Sequence, residues 1–76
     1  VVTTKMAKYT APLLEHMKIM KYFEFIIGRE DVINPKPDPE PILKAINKMD
    51  ISVGDNLIYM IGDTKLDMIS AKKAGI

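Results

Sequence analysis

YMIGDTKLD, residues 59–67, is the stretch from which the rest of the chain can be interpreted. An uninterrupted apolar run, residues 57–61, ends at Gly62 and is followed by Asp63 and, four positions later, by Asp67. Such a run predicts a parallel strand that is covered on both faces. Ligands of open parallel sheets bind beyond the carboxyl ends of the strands. The stretch therefore predicts two carboxylates at the ligand-binding edge of a sheet.

Two further strands are predicted before this one. Residues 1–4 are β-branched, and residues 23–27 are rich in aromatic and β-branched side chains and end at Gly28. Between them, a three-four apolar spacing predicts a helix that either begins near Met6 and kinks at Pro12 or begins one turn before Pro12. Its predicted buried stripe comprises Met6, Tyr9, Leu13, Leu14, Met17 and Met20.

The prolines of residues 28–40 predict a loop. Asp38 is predicted to cap the helix that follows, and Pro41 fits the first turn of that helix. The predicted buried face of this helix comprises Ile42, Leu43, Ile46 and Met49.

A last helix is predicted from about Leu66 to a stop at Gly75. It carries small residues that let it lie close to a sheet, namely Ser70, Ala71 and Ala74. Strands and helices thus alternate through the chain. This order predicts an α/β fold, a parallel sheet flanked by helices with right-handed connections.

Composition excludes several classes of function. The 76 residues are 47% apolar and 28% charged, the balance of one ordinary folded domain. A formal net charge of +1 offers no field for nucleic acid or an anionic membrane, and no apolar run approaches the ~20 residues that span a bilayer. The absence of cysteine fits an intracellular protein, so we expect a cytoplasmic location. Val1 and Val2 open the chain without an initiator methionine, which suggests a piece of a longer protein.

The three predicted strands should deliver polar residues to one edge of the sheet. Thr3 and Thr4 follow the first strand, Lys36 lies in the loop after the second, and Asp63 and Asp67 follow the third. Hydroxyls, a fixed cation and two carboxylates suit a phosphate group together with a hard divalent cation. Mg²⁺ is usually held by one or two protein carboxylates plus waters and substrate phosphate.

Three segments in the same order carry a family resemblance. VVTTK, NPKPDPEPILKAI and YMIGDTKLDMISAKKAGI resemble the second, third and fourth motifs of the haloacid dehalogenase superfamily, in its phosphoglycolate-phosphatase-like branch. The most specific part is GDTxxD followed by AxxAG. The resemblance implies a three-layer Rossmann-like sheet that is incomplete in this chain. It also implies that residues 1–76 are part of the core domain of a Mg²⁺-dependent phosphatase acting on a small phosphorylated metabolite, with phosphoglycolate as the family default.

The roles of individual residues follow from the same resemblance. Thr3 resembles the hydroxyl that binds the transferring phosphoryl group, and Thr4 stands where this branch often has Asn or Ser. Lys36 resembles the lysine that neutralises the phosphoryl charge and the nucleophile. Asp63 resembles the Mg²⁺ ligand, and Asp67 the acidic residue that completes or orients the metal site.

The family's first motif, an Asp-x-Asp-x-Thr segment, is absent from these residues, and so is the cap that closes over the substrate. The two aspartates of that motif are the covalent nucleophile and the general acid/base. The 76-residue chain is therefore expected to be inactive alone, and the aspartyl-phosphate intermediate of the family would form on a residue outside it.

Other interpretations of the same residues remain open. Lys36 could be a solvated turn residue, or NPKPDPEP a polyproline ligand. Asp63 could be a helix N-cap, and Asp67 a surface acid one turn later. Dehalogenases of the superfamily do without the metal, so the two carboxylates favour phosphoryl transfer. A non-catalytic phosphate-binding or regulatory module of the same fold is the alternative from another class.

The predicted strand 57–61 also predicts an interaction. The family resemblance implies that the first strand of the family, which is absent here, is the central neighbour of this strand. Without it, a strand that is apolar on both faces presents unpaired backbone groups along an edge. We therefore expect the chain to self-associate through that edge, or to be ordered only within a larger molecule.

Overall fold

The computed structural model describes residues 1–55 and 57–76, and three α-helices organise this part of the chain. They are α1 (Ala7–His16), α2 (Glu40–Lys48) and α3 (Lys65–Lys73). Short 3-10 turns lie between them at Met20–Tyr22, Arg29–Asp31 and Val53–Asp55. In the part of the chain described here, no helix has the length and apolar character needed to cross a membrane.

The predicted parallel sheet is reduced to one parallel bridge between Val2 and Ile27 in the described residues. Ile27 N–H donates to the Val1 carbonyl at 2.7 Å, and the Ile27 carbonyl accepts from Thr3 N–H at 2.9 Å. The three regular strands are therefore not confirmed in these residues, although the first two segments do run parallel. Parallel pairing is less stable per residue than antiparallel pairing, and a pair of isolated short strands is marginal.

Residues 57–61 are covered on one face only, so the prediction of coverage on both faces is wrong. Ile58 and Met60 are half-buried and pack on the core. Leu57, Tyr59 and Ile61 point the other way and are 88%, 78% and 93% exposed. The alternation is that of an extended segment, in which successive side chains point to opposite faces.

The core lies between α2, α3 and the extended segments. Its centre is formed by two residues of α2 and two residues just inside or after α3, namely Ile42, Ile46, Ala71 and Ala74. Half-buried apolar side chains surround it: Val2, Ile51, Val53, Ile58, Met60 and Ile76. A second cluster joins Ile27, Val32 and Ala45, and Val2 touches both clusters. Val2 thereby connects the bridged segments to the helices.

Helix α1 covers only part of the predicted stripe. Tyr9, Leu13 and Met17 are 58%, 44% and 55% exposed, and the buried residue of this helix is Thr10. The Thr10 hydroxyl donates to the Met6 carbonyl at 3.0 Å, so its polar atom is satisfied within the helix and can be buried. Hydrophobic spacing predicted the helix correctly and its covered face in part, because Met6, Leu14 and Met20 of the stripe are half-buried. The helix begins near Met6, as one of the two alternatives stated, and Pro12 lies inside it.

Helix α1 takes its N-terminal cap from a distant residue. Met6, at the N-cap position, makes no side-chain capping bond. Instead, the Glu30 carboxylate accepts from Ala7 N–H at 2.6 Å and from Lys8 N–H at 3.2 Å. The first of these hydrogen bonds is the largest contribution that lowers the pKa of Glu30. The start of α1 is thus attached to the turn Arg29–Asp31.

Helix α2 buries Ile42 and Ile46 as predicted, together with Pro41 and Ala45. The predicted burial of Leu43 and Met49 is wrong, because these side chains are 46% and 40% exposed. The N-cap position is Pro39, and Asp38 stands one residue earlier. Its carboxylate nevertheless accepts from Glu40 N–H at 2.9 Å, at the first residue of the helix.

Helix α3 is close to its prediction. Ser70 and Ala71 are buried within it, and Ala74 is buried at its C-cap. Gly75 follows with a φ of +89°, the left-handed conformation that glycine adopts without strain. Ile76 N–H then donates to the Ala71 carbonyl at 3.0 Å, which closes the helix end.

Candidate active site

Lys36 joins the ends of two segments that the sequence placed at one edge. Its ammonium group donates to the Val2 carbonyl at 3.3 Å and to Asp67 Oδ1 in a short ion pair. The side chains of Lys36 and Asp67 are only 10% and 9% exposed. The interpretation of Lys36 as a solvated turn residue is therefore wrong. We call this contact between the loop and α3 the Lys36–Asp67 junction.

Thr64 holds the other side of the Asp67 carboxylate. Its N–H and its hydroxyl both donate to Asp67 Oδ2, at 3.2 Å and 2.9 Å. In return, Asp67 N–H donates to Thr64 Oγ1 at 3.4 Å, which completes a capping box at the start of α3. The N-cap is therefore Thr64, and the alternative that placed Asp63 there is wrong.

Thr64 was not among the predicted site residues, although the sequence carries a signal for it. Thr64-Lys65-Leu66-Asp67 matches the pattern of a capping residue followed three positions later by an acid. Asp67 is also not a surface acid, because only 6% of the residue is exposed.

The environment of Asp67 favours its ionised form. The hydrogen bond from Lys36 is the main cause that lowers the pKa of this carboxyl group, with hydrogen bonds from Thr64 adding to it. Burial acts in the opposite direction and is the smaller effect. Asp67 is therefore a fixed negative charge at neutral pH.

Gly62 is required by the close approach of Asp67. A Cβ atom at position 62 would lie 2.5 Å from Asp67 Oδ2 and 2.6 Å from its Cγ. Real Cβ atoms do not come so close to other heavy atoms. Gly62, which ends the apolar run, therefore leaves the space that the Asp67 carboxylate occupies.

Asp63 differs from Asp67 in being exposed. It lines a shallow surface cleft of about 400 Å³ together with Gly62, Thr64, Lys65, Met68 and Ile69. Within residues 1–55 and 57–76, no group of three His, Cys, Asp or Glu side chains is placed to hold a metal ion. Of the two predicted metal ligands, Asp63 presents its carboxylate to solvent, whereas both oxygens of Asp67 are already hydrogen-bonded.

Thr3 and Thr4 lie beside the junction along the chain. Thr3 follows Val2, whose carbonyl binds Lys36, and its N–H is held by Ile27. The Thr3 hydroxyl accepts from Lys5 N–H at 3.1 Å and closes a local turn. Thr4 is exposed. The structure thus brings Lys36, Asp67 and the end of the first segment together. Thr4 and Asp63 lie nearby in sequence, and both are exposed to solvent.

Comparison with known proteins identifies the family. The sequence profile of the family described as "Haloacid dehalogenase-like hydrolase" matches residues 1–76. The chain belongs to the haloacid dehalogenase-like hydrolase family. The resemblance carried by the three sequence motifs is therefore confirmed.

Relatives in this family are similar over almost the whole chain. The phosphoglycolate phosphatase of Escherichia coli K12 is 43% identical over 74 residues, which are 97% of this chain and 29% of that protein. The phosphoglycolate phosphatase of Salmonella typhi is 42% identical over the same shares. The chain thus spans less than a third of the length of the curated relatives that it matches.

Solved structures show the same relationship. A hydrolase of this superfamily, subfamily IA, from Geobacter sulfurreducens has a TM-score of 0.84 and 32% identity, over 100% of this chain and 35% of that one. A hydrolase of the superfamily from Ehrlichia chaffeensis has a TM-score of 0.88 and 34% identity, over 97% and 36%. These similarities place the chain in the Rossmann-like α/β fold of haloacid dehalogenase-like hydrolases.

Proposed function

We propose that this chain is part of a Mg²⁺-dependent phosphatase that hydrolyses a small phosphate monoester. The observation that carries the proposal is the Lys36–Asp67 junction, which holds an ammonium group at the edge where two chain segments end. A fixed cation at such an edge can bind a phosphoryl group and stabilise the charge that develops during its transfer.

Each residue of the edge has a role in this proposal. Lys36 binds the phosphoryl oxygens and offsets their charge. The Thr3 hydroxyl, which accepts from Lys5 N–H, still carries a proton to donate to a phosphoryl oxygen. Thr4 is exposed beside it and would contact the substrate. Asp67 fixes the position of Lys36 through the ion pair.

The exposed carboxylate at position 63 fits a magnesium ion. Mg²⁺ prefers oxygen ligands and is commonly held by one or two carboxylates, with waters and phosphate completing its shell. Asp63 would hold the ion directly, and Asp67, whose oxygens bind Lys36 and Thr64, would orient the site. When bound, the ion would supply Lewis-acid stabilisation of the phosphoryl group.

The nucleophile of the proposed reaction lies outside these residues. In this scheme an aspartate elsewhere attacks the phosphorus in line, the bond to the ester oxygen breaks, and the protonated alcohol leaves as the aspartyl-phosphate forms. Water then hydrolyses the aspartyl-phosphate to inorganic phosphate and the free aspartate. The similarity to phosphoglycolate phosphatases supports a small, phosphoglycolate-like monoester as the substrate.

A non-catalytic module that binds phosphate or metal is the second candidate. One observation favours it: Lys36 and Asp67 already satisfy each other within the chain, as in a purely structural ion pair. The two candidates differ in turnover, because the module would bind inorganic phosphate and release no alcohol from a phosphate ester.

Hydrolysis of p-nitrophenyl phosphate by the full-length protein tests the choice. We expect Mg²⁺-dependent turnover that EDTA abolishes, and an Asp63→Asn variant that needs more Mg²⁺ and turns over more slowly, because one charged ligand is lost. Asp50→Asn is the matched control, since Asn also tolerates the left-handed backbone found there. Purified full-length protein without turnover would favour the module, and an unchanged Mg²⁺ requirement in Asp63→Asn would remove Asp63 from the metal site.

A further inference from the structure

We propose that Ser70 is a positioning residue for Lys36, a role that rests on the function proposed above. Ser70 is fully buried in α3, with 0% of its surface exposed. Its hydroxyl donates to the carbonyl of Asp38 at 2.7 Å, across 32 positions of sequence. Asp38 lies two residues after Lys36 in the same loop, so Ser70 holds the backbone that carries the lysine.

The Lys36 loop, residues 35–38, is built to transmit this contact. Asp38 N–H donates to the Pro35 carbonyl at 3.0 Å, which closes a tight turn with Lys36 and Pro37 between the two. Prolines at positions 35, 37 and 39 fix φ through the loop. Because few backbone torsions remain free, a displacement of Asp38 would move Lys36 as well.

Helix α3 therefore holds the loop at two points. Asp67 binds the Lys36 side chain, and Ser70, three residues later on the same face of the helix, binds the loop backbone. Both contacts come from one rigid element. Lys36 is consequently held both at its ammonium group and through the backbone of its loop.

Helix formation alone does not account for a serine at position 70. Alanine has the higher helix propensity and would fill a similar space. A buried hydroxyl within a helix can instead bond to the carbonyl four residues earlier, as Thr10 does with Met6. The Ser70 hydroxyl leaves its own helix and binds the loop.

Competitive acetylation of lysines in the full-length protein tests the contact without requiring activity. We expect Ser70→Ala to raise the labelling rate of Lys36 about twofold to tenfold relative to the exposed Lys72 and Lys73, the factor that one neutral hydrogen bond is worth. Thr10→Val is the matched control, because it removes a buried hydroxyl remote from the loop and should leave this ratio unchanged. An unchanged ratio in Ser70→Ala would overturn the proposal.

A second variant guards against a folding defect. Ser70→Cys keeps the size of the side chain but offers only a weak S–H donor. We expect it to raise the Lys36 ratio in the same direction as Ser70→Ala. If Lys36 in Ser70→Cys is labelled at the wild-type ratio, the Ser70 hydroxyl is not the group that holds the loop.

Turnover supplies a readout that a merely structural role would not produce. Ser70→Ala should lower kcat on p-nitrophenyl phosphate by about tenfold, less than the 10²-fold that a misplacement of ~1 Å can cost. In a Lys36→Ala background the same change should lower kcat no further, whereas independent, multiplying losses would refute a role through Lys36. A wild-type protein without turnover would count against the proposed function, while the Lys36 labelling ratio would still decide whether Ser70 holds the loop.

Discussion

The Lys36–Asp67 junction and residues 57–61 lead to the same edge of the molecule but are held by opposite means. The junction is polar, and its side chains are 10% and 9% exposed, with each contacting atom hydrogen-bonded. The segment is apolar, and three of its five side chains are at least 78% exposed. Polar groups are thus buried where their partners lie within the chain, while apolar groups are uncovered where the described residues provide nothing to cover them.

The difference shows what determines burial in this molecule. Asp67 is buried because Lys36 and Thr64 replace the water that a carboxylate needs. Tyr59 and Ile61 are exposed despite their apolar character, because an extended segment covers only the face that meets the core. The hydrophobicity of a side chain therefore does not by itself predict whether that side chain is buried in this chain.

Removing the lysine from the junction should have the largest effect. In the full-length protein, Lys36→Ala is expected to lower kcat on p-nitrophenyl phosphate by about 10² to 10³, the cost of losing one group that stabilises transition-state charge. Lys72→Ala, an exposed lysine on α3, is the matched control and should leave the rate unchanged. A near-wild-type rate for Lys36→Ala would leave the junction a purely structural contact.

The point where the two regions meet is Gly62, and a single methyl group there should damage the junction. Gly62→Ala would place a Cβ within 2.6 Å of three Asp67 atoms, and such overpacking typically costs about 1–3 kcal/mol of the free energy of unfolding. Gly54→Ala is the control, because a Cβ there meets nothing within 4 Å. Urea unfolding compares the two variants, and equal midpoints would contradict the close packing at Gly62.

Acid should weaken the junction while leaving the apolar contacts unchanged. Because the pKa of Asp67 is lowered in the folded protein, its contribution to stability is complete above about pH 3.9, the usual aspartate pKa, and is lost as pH falls through the lowered value. The stability difference between the wild type and Asp67→Asn should therefore be constant from pH 7 to 5 and shrink below about pH 3.9. Urea midpoints measured across this range check it, and a difference that does not change with pH would show that the ion pair contributes nothing.

The smallest effect on stability is expected on the outward face of residues 57–61. Tyr59→Lys should change the free energy of unfolding by no more than about 0.5 kcal/mol, as surface substitutions do. Ile58→Lys, on the inward face that packs on the core, is the contrasting variant and should destabilise the chain strongly. Calorimetry or urea unfolding separates the two, and equal losses would mean that both faces are covered.

The same substitution tests self-association, which stays a prediction. A lysine in this segment should disfavour pairing of its edge with a second copy and so lower the mass measured by light scattering at high concentration. A wild-type chain that is already monomeric at those concentrations would contradict the predicted association.

The helices were predictable from sequence because their start and stop signals are local. Gly75 ends α3 as predicted, and small residues mark its buried face. The covered face of α1 was only partly predictable from spacing, because burial depends on what lies opposite the helix. Thr10 can be buried because its hydroxyl donates to the Met6 carbonyl. The sheet is confirmed only as the parallel bridge between Val2 and Ile27, because β pairing needs a neighbouring strand and a sequence pattern does not supply one.

The candidate site was predictable as a set of residues and not as a set of contacts. The motifs identified Lys36, Asp63 and Asp67 but gave no indication that Asp67 would bind the lysine. Thr64 could have been found from its capping-box pattern, whereas the bond from Ser70 to Asp38 joins positions 32 residues apart and leaves no local signal.

The distant cap of α1 has a consequence for the order in which the chain folds. Helices shorter than ~12–15 residues are marginal in isolation, and α1 has 10 residues with a proline among them. Because its first two N–H groups depend on Glu30, this helix becomes stable only when the chain between Ala7 and Glu30 has closed into a loop. Helix α3 carries its own capping box and can form from local contacts. In hydrogen exchange, the amides of α1 should therefore open together with the turn Arg29–Asp31 as one cooperative unit, separately from those of α3.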